Sequence, residues 1–513
     1  MADYFRPRGD ITTVLDLTDR DAQDNTYFPI DATDTWFHRE HTRKVFPTAT
    51  SIQEFTQRGP ADWGQRCSFE LGSLYAGDLL QGIMLQIQLG SWYNESVVQQ
   101  LEAASITTNL QTYANEYWTY SNSLGTSIIE YADFIVNEQT IERITGEFIS
   151  THLKLHTAVN QQHGIAIDAV GAVPYSYLSP TGLSSPVSQT PFHPARPFPT
   201  EDGTYFCILP FFFLRTKLSE VFPLLSCNEG NVRVDIKLRS FEDMVRKYVG
   251  YRTTAMESPL NQTVHFTTTQ LPSVVPVTTL QKPPAFRDFR VITTCSLLTG
   301  LLRTKFLRQP FEQMVKLMQP FHFEEPLKYL VSKSKPTSDT VEIQLPLEMN
   351  HPVTELIWVF RRKAVAVNNE WSNFSPAIGL ESNPTKVFPP WLDYATLRMN
   401  GQEVVAAEGD WFRAQTAQTH PGGITAYDSY VYGYSFAEYP TEHQPSGTAN
   451  ASRATSITLN LRVNTPITKN LTTLNIPSYF DAVEVGGWEV FVYSMYYNWL
   501  RFENGICNRM FNS

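Results

Sequence analysis

A chain of 513 residues is long enough for two or three domains, each with its own core. Charged residues make up only 18% against a usual share of about 25%, and aromatics reach 13%, a balance suited to burying surface against partners as well as inside the chain. A formal charge of −11 argues against a nucleic-acid coat, and 5 scattered cysteines without a C-x-x-C pair argue against a disulfide framework or zinc ribbon and for a reducing compartment.

Residues 1–32 read as a polar arm rich in Asp, Thr and Arg, with no apolar leader stretch. A first domain is expected over 33–250, with strands at Cys67–Leu71, Leu79–Leu89, Ile128–Val136, Phe206–Phe213 and Val232–Leu238 and a helix or insertion over Ser96–Tyr113. The span Thr157–Thr204, punctuated by Pro174, Pro180, Pro186, Pro191, Pro194, Pro197 and Pro199, is a long connection of the kind that usually forms a contact surface. Cys207 and Cys227 flank a run of Phe and can approach one another, although a free Cys is more often a buried small hydrophobe. The longest apolar run, Tyr205–Leu214, is about half of what a membrane-spanning helix needs.

From 251 to 284 the composition shifts to Thr, Val, Gln and Pro, the expected crossing into a second domain that completes 251–513. Its strands are expected at Phe289–Leu298, Val341–Leu345, Glu355–Phe360, Tyr430–Phe436, Ile457–Val463 and Trp488–Leu500. Helical patterns are short and scarce, so the chain reads as mostly β.

The two halves share a grammar. In each, an aromatic run (Leu209–Phe213, Tyr430–Phe436) precedes a connection and then a strictly alternating strand (Val232–Leu238, Ile457–Val463). Upstream, Ile135–Ile141 precedes Gly146-Glu-Phe148, as Leu397–Val404 precedes Gly409-Asp-Trp-Phe412. Features recurring in one order predict two copies of a single all-β domain.

Catalytic signatures are scarce. The chain has no phosphate loop, dinucleotide fingerprint, nucleophile elbow or H-E-x-x-H. His38, Glu40 and His41 have metal-ligand spacing, but Arg39, Arg43 and Lys44 crowd them with positive charge, which favours a surface patch. His322 with Glu324 and Glu325 has the residue types of an acid–base set, yet a polar turn leaving a strand explains it better. N-x-S/T sequons at Asn94, Asn261, Asn373, Asn450 and Asn470 read as chance occurrences in a cytosolic chain. The loop His443–Arg453 is different. Pro445, beside Ser446, fixes φ, Gly447 can take a positive φ, Asn450 and Ser452 can bond nearby backbone, and Arg453 can clamp loop carbonyls, so the loop is expected to hold one shape and to be structural rather than catalytic.

With these residues in view, the chain resembles the major capsid proteins of large icosahedral double-stranded DNA viruses, the nucleocytoplasmic group with iridovirus and algal-virus relatives. Asn350-His-Pro-Val-Thr-Glu-Leu-Ile-Trp-Val359, Leu397-Arg-Met-Asn-Gly401, Tyr434-Ser-Phe-Ala437, Glu442-His-Gln-Pro-Ser-Gly447, Asn450-Ala-Ser-Arg453 and Tyr496-Tyr-Asn-Trp-Leu500 are similar to that family's closing domain. A looser match covers Trp36–Arg43, Gly77–Leu80, Ile141–Glu147 and Leu209–Phe213. The polar arm and the ending Asn504–Phe511 depart from the family's Gly-rich termini.

The resemblance implies an all-β chain of two consecutive eight-stranded antiparallel jelly-roll sandwiches. It also implies a homotrimeric capsomer that tiles a pseudo-hexagonal icosahedral shell beside neighbouring capsomers and minor capsid proteins. On this reading 157–204 and the loop around Ala414–Tyr427 lie on the outer or inter-subunit surface. The arm lies on the inner side, with peripheral contact to an internal viral membrane. The protein would belong to the virion, be assembled in host cytoplasm, and carry no catalytic residue, cofactor, metal or direct nucleic-acid contact. Two alternatives remain: a membrane-scaffolding assembly protein or capsid paralogue, and a double-jelly-roll glycan-binding or glycan-processing protein, which would need paired carboxylates or a metal in a cleft.

Overall fold

The computed structural model describes residues 48–57, 59–72, 77–90, 116–121, 123–158, 161, 164–165, 169–171, 203–214, 220–249, 285–324, 340–362, 371–374, 390–422, 430–464 and 488–511. The arm (1–32), the His38–His41 cluster, the Ser96–Tyr113 helix, the crossing (251–284) and nearly all of 157–204 fall outside them.

In chain order the first half contains β1 (Thr48–Thr56), β2 (Arg66–Glu70), β3 (Leu79–Leu89), β4 (Glu116–Tyr120), α1 (Leu124–Ser127), β5 (Ile129–Val136), β6 (Gln139–Thr145), α2 (Gly146–His156), β7 (Gly203–Leu209), β8 (Val232–Leu238), α3 (Phe241–Met244), β9 (Val245–Val249) and β10 (Phe286–Leu298). After α4 (Gly300–Arg308) come β11 (Phe311–Phe323), β12 (Thr340–Pro346), β13 (Pro352–Arg362), β14 (Leu392–Met399), β15 (Gln402–Glu408), α5 (Gly409–Thr419), β16 (Val431–Ser435), β17 (Ala449–Asn450), β18 (Ile457–Asn464), β19 (Trp488–Glu503) and β20 (Ile506–Arg509).

Two sheets of the first half, β1-β10-β3-β7 and β2-β8-β5-β6, correspond strand for strand to β11-β19-β13-β16 and β12-β18-β14-β15 of the second. Each pair is an eight-stranded antiparallel sandwich, the jelly-roll order. Alternation makes the inner faces: β18 is buried at every second residue from Ile457, and β8 breaks the pattern only at Asp235, where a buried carboxylate accepts from Arg66 Nη2 at 2.8 Å and Ser68 Oγ at 2.6 Å. Phe69 on β2 meets Phe289 on β10 at 5.6 Å across the first sandwich. Across the second, the Tyr432 hydroxyl on β16 accepts the Leu392 N–H of β14 at 3.2 Å.

The internal repeat survives in fine detail. The hairpins β5–β6 and β14–β15 turn through consecutive positive-φ pairs, Asn137–Glu138 (52°, 63°) and Asn400–Gly401 (53°, 78°), the left-handed conformation that two-residue hairpins favour. Each hairpin runs directly into an 11-residue helix, α2 or α5, whose first residue is Gly. A Cβ added at Gly146 would lie 2.2 Å from Ile129 O, and one at Gly409 would lie 2.2 Å from Leu392 O, so both helices start against the backbone that opens the first strand of the hairpin before them.

Three sequence expectations need correction. Phe289–Leu298, expected to open the second domain, instead lies between β1 and β3 in the first sandwich, in a ladder from Phe286 opposite Leu89 to Ser296 opposite Leu79. The first sandwich therefore reaches Leu298, because a sheet is completed by pairing partners that chain order does not reveal. Strand β7 stops at Leu209, since Pro210 cannot donate to a ladder, and Phe211, Phe212 and Phe213 fold inward around Phe134 at 4.8–5.9 Å. Ala414 to Thr419 is helix, and Thr416 and His420 are buried rather than on an outer surface, because α5 packs its inner side on β16.

Strand polarity sorts the connections. Successive strands alternate in direction, so β1–β2, β3–β5, β6–β7 and β8–β10 connect at one end of the first sandwich, and β2–β3, β5–β6 and β7–β8 at the other. The latter end, the base, carries α4 and leads into β11. At the base Asp78 receives the Leu298 N–H at 2.8 Å and faces Arg303 of α4, while Gln313 of β11 donates to Val221 O at 2.9 Å. Phe222 of the first sandwich meets Phe502 of the second at 5.7 Å, and a single hydrophobic core runs through both.

Candidate functional site

The seam between the sandwiches holds the most unusual chemistry in the chain. Glu147, in the first turn of α2, accepts from Arg239 Nη2 at 2.8 Å and from Arg361 Nη1 of β13 at 2.7 Å. Arg361 also gives its Nε–H to Glu489 of β19 at 2.6 Å, and Glu489 meets His322 Nε2 at 2.8 Å. Trp371 lies under both guanidiniums, 3.9 Å from Arg239 and 5.2 Å from Arg361, and donates its indole N–H to Asp243 O at 2.8 Å. Burial pushes the Glu147 carboxyl upward, but Arg361 and Arg239 outweigh it and hold the pKa at about 2. Arg361 bridges two carboxylates through different nitrogens of one rigid guanidinium, which fixes their separation.

A second buried set lies nearby. Lys316 of β11 and Glu355 of β13 approach to 3.1 Å, both about 4% exposed, and His420 Nε2, at the end of α5, lies 3.2 Å from the same carboxylate. Burial raises the Glu355 pKa, and Lys316 followed by His420 brings it down to about 2. His420 stands edge-on to His156 of α2 at 5.3 Å, and His156 stacks on His152 at 3.9 Å, so three imidazoles cross from one sandwich to the other. Burial, then His152 and His420, hold the His156 pKa well below its usual 6.5. Gly422 donates its N–H to Leu155 O at 2.7 Å beside them; a Cβ there would lie 2.3 Å from Lys154 O.

The loop His443–Arg453 makes several contacts with its surroundings. Gly447 has φ +147°, and an added Cβ would lie 2.5 Å from Phe436 O. Ser446 Oγ accepts the Tyr439 N–H at 2.9 Å, and Ser452 Oγ accepts the His351 N–H at 2.7 Å. Asn450 pairs with Pro352 in the short β17–β13 ladder, which sews the loop to the seam strand. Lys316 reaches the loop through Pro440 O, and Tyr497 donates its hydroxyl to His443 O at 3.2 Å. Arg453 is exposed on the 3-10 turn, and among the described residues the donors to carbonyls of this segment are Lys316, to Pro440 O, and Tyr497, to His443 O.

Other candidates are resolved in the same way. His322 stacks flat on Phe491 at 4.5 Å and pairs with Glu489, so its partner is across the sheet rather than Glu324; Glu325 lies outside the described residues. Asn373 is 1% exposed and presents no surface for a glycan. Among the described residues no group of three His, Cys, Asp or Glu could hold a metal ion. Sequence reading missed Glu147, Arg239, Arg361 and Glu489. Their one visible signal was charge inside otherwise apolar strand runs, as in Trp358-Val-Phe-Arg361.

Comparison with known proteins agrees with this geometry. A profile for the major capsid protein N-terminus matches residues 35–274, and one for the large eukaryotic DNA virus major capsid protein matches 303–508. The major capsid protein of Pyramimonas orientalis virus is 31% identical over 150 residues, 26% of this chain and 35% of its own length. That of Paramecium bursaria Chlorella virus 1 is 29% identical over 181 residues, 32% of this chain and 39% of its own length. The alignments thus span little more than a third of these relatives. Over nearly the whole chain the fold matches the quasi-atomic PBCV-1 virus capsid (TM-score 0.63, 18% identity, 93% of this chain and 100% of that one). It also matches the Faustovirus major capsid protein (TM-score 0.61, 11% identity, 96% of each). Paired sandwiches of one topology, matched in tandem by both halves of a single family, show that the chain belongs to the major capsid proteins of large eukaryotic DNA viruses.

Proposed function

We propose that this chain is the shell-forming subunit of a large DNA virus, working as a homotrimeric capsomer. The observation that carries the reading is the fusion of two topologically equivalent sandwiches, side by side and with one polarity, through a buried ionic seam. Three such chains around a threefold axis give six similar barrels and a pseudo-hexagonal outline that can tile a closed shell. An obligate trimer of this kind buries more than about 2,000 Å² per interface.

The role is structural rather than enzymatic. Each buried carboxylate of the seam is held by a cation, which suits rigidity and leaves no carboxyl poised for proton transfer at neutral pH. Neighbouring capsomers and minor capsid proteins are the partners, with an internal membrane as a peripheral one, and a charge of −11 disfavours direct nucleic-acid binding. The protein would reside in the virion after assembly in host cytoplasm. We place the division between sandwiches at α4, so that the first sandwich ends with β10. Pro445, Ser446, Gly447 and Asn450 fix a base loop that orders contacts beneath the capsomer.

Light scattering on the purified chain tests the reading: a native mass about three times 58.4 kDa is expected. A stable monomer at micromolar concentration would contradict it.

A further inference from the structure

All five cysteines are free and buried. Cys207, which sequence spacing set beside Cys227, is surrounded by apolar packing, and burial alone pushes its thiol up to about 12. Cys227 has a different neighbour. It ends the 3-10 turn Leu224–Cys227 in the β7–β8 connection of the first sandwich, which packs against β20, the hairpin strand that carries Cys507 and closes the second; the Cys507 side chain, together with burial, pushes the Cys227 thiol well above its usual pKa.

The two backbones are locked in register at this point. Glu229 donates its N–H to Gly505 O at 3.3 Å. Gly505 turns with φ +78°, and a Cβ there would lie 2.5 Å from Asn228 Oδ1 and 3.0 Å from Glu229 Cβ, so the hairpin turn is pressed against 228–229. On its other side the 3-10 turn is tied to α4 by Ser226 Oγ, which donates to Phe306 O at 3.0 Å. Two buried cysteines from separate sandwiches, 3% and 0% exposed, therefore lie on segments whose main chains are held together. Packing would be satisfied by any small apolar side chain at either position, whereas bond formation needs sulfur at both.

We propose that Cys227 and Cys507 are a redox modification site, closing to an intramolecular disulfide that locks the base of the first sandwich to the C-terminal hairpin of the second. With a peroxide as oxidant, one thiolate attacks oxygen, giving a sulfenic acid and one water. The neighbouring thiol then displaces the sulfenic oxygen as a second water, and the S–S bond forms. Two thiols and one peroxide thus give one disulfide and two waters. The neighbouring Cys507 and burial keep Cys227 in its thiol form, so the reaction is slow and follows opening of the short β20 strand. The pair stays reduced where thiol reductants dominate and closes in an oxidising medium. Closure would constrain the unfolded chain between 227 and 507, a loop long enough to raise thermal stability.

The test uses the full-length chain treated with stoichiometric hydrogen peroxide, then denatured and alkylated. The expected result is a fall from 5 free thiols to about three, a cross-linked peptide pairing Cys227 with Cys507, faster migration of the monomer band without reductant, and a higher melting midpoint, all reversed by dithiothreitol. Cys227→Ser and Cys507→Ser should each abolish the band shift and the stabilisation. Persistence of all five thiols would overturn the proposal, as would disulfides mapping to other cysteines or joining separate chains. The peptide map on the unmodified protein decides even if a serine variant fails to fold.

Discussion

Arg361 shows how a single side chain can define an interface. Its guanidinium serves two carboxylates 214 and 128 positions away, one from each sandwich, and none of that was visible around it in sequence. The local reading of Glu355–Phe360 gave the strand, because alternation and β-branched residues report burial; it could not give the partner, because ion pairs across a seam leave no periodic trace. Arg453 was singled out instead, for a donation to loop carbonyls that Lys316 and Tyr497 make. Arg361→Met should leave Glu147 and Glu489 short of a cation in a buried site and destabilise the chain by roughly 3–5 kcal/mol, measured by urea unfolding. Arg453→Ala should change stability by less than about 0.5 kcal/mol in the same measurement.

At the scale of elements the repeat was the most legible feature. Strands β3 and β8 have the limits that sequence patterning gave, and the Gly that begins α2 and α5 marks the same steric need in each half. The register of β10 was not legible, since its alternation fits either sandwich and only its ladder with β3 decides. Glycines give a graded test of this layer. Gly401→Ala meets nothing within 4 Å but must hold φ +78°, so it should cost about 1–2 kcal/mol. Gly409→Ala places a methyl 2.2 Å from Leu392 O and should cost about 3 kcal/mol or more, with loss of helix signal if α5 detaches. Equal losses for the two would contradict the proposed helix-start packing.

For the whole molecule, the shared core and the seam predict one cooperative unfolding transition for both sandwiches. They also predict acid sensitivity. His156 is held below 6.5 when folded, so below that pH the unfolded chain binds a proton that the folded chain resists, and stability present above about 6.5 declines as pH falls. Glu147 and Glu355 are depressed from 4.5 to about 2, so their contribution is complete above about 4.5 and is lost as pH falls toward 2. Melting midpoints taken from pH 8 downward should fall in two stages, and His156→Gln should flatten the first stage while leaving the second.

Cryo-electron microscopy of the purified protein tests whether two equivalent sandwiches in one chain supply six barrels to a threefold capsomer. The expected particles are threefold-symmetric, with six lobes of similar size around a pseudo-hexagonal outline, each chain contributing an adjacent pair joined at the Glu147–Arg361 seam. Particles in which the two sandwiches of a chain separate, or which assemble with two or four copies, would contradict it.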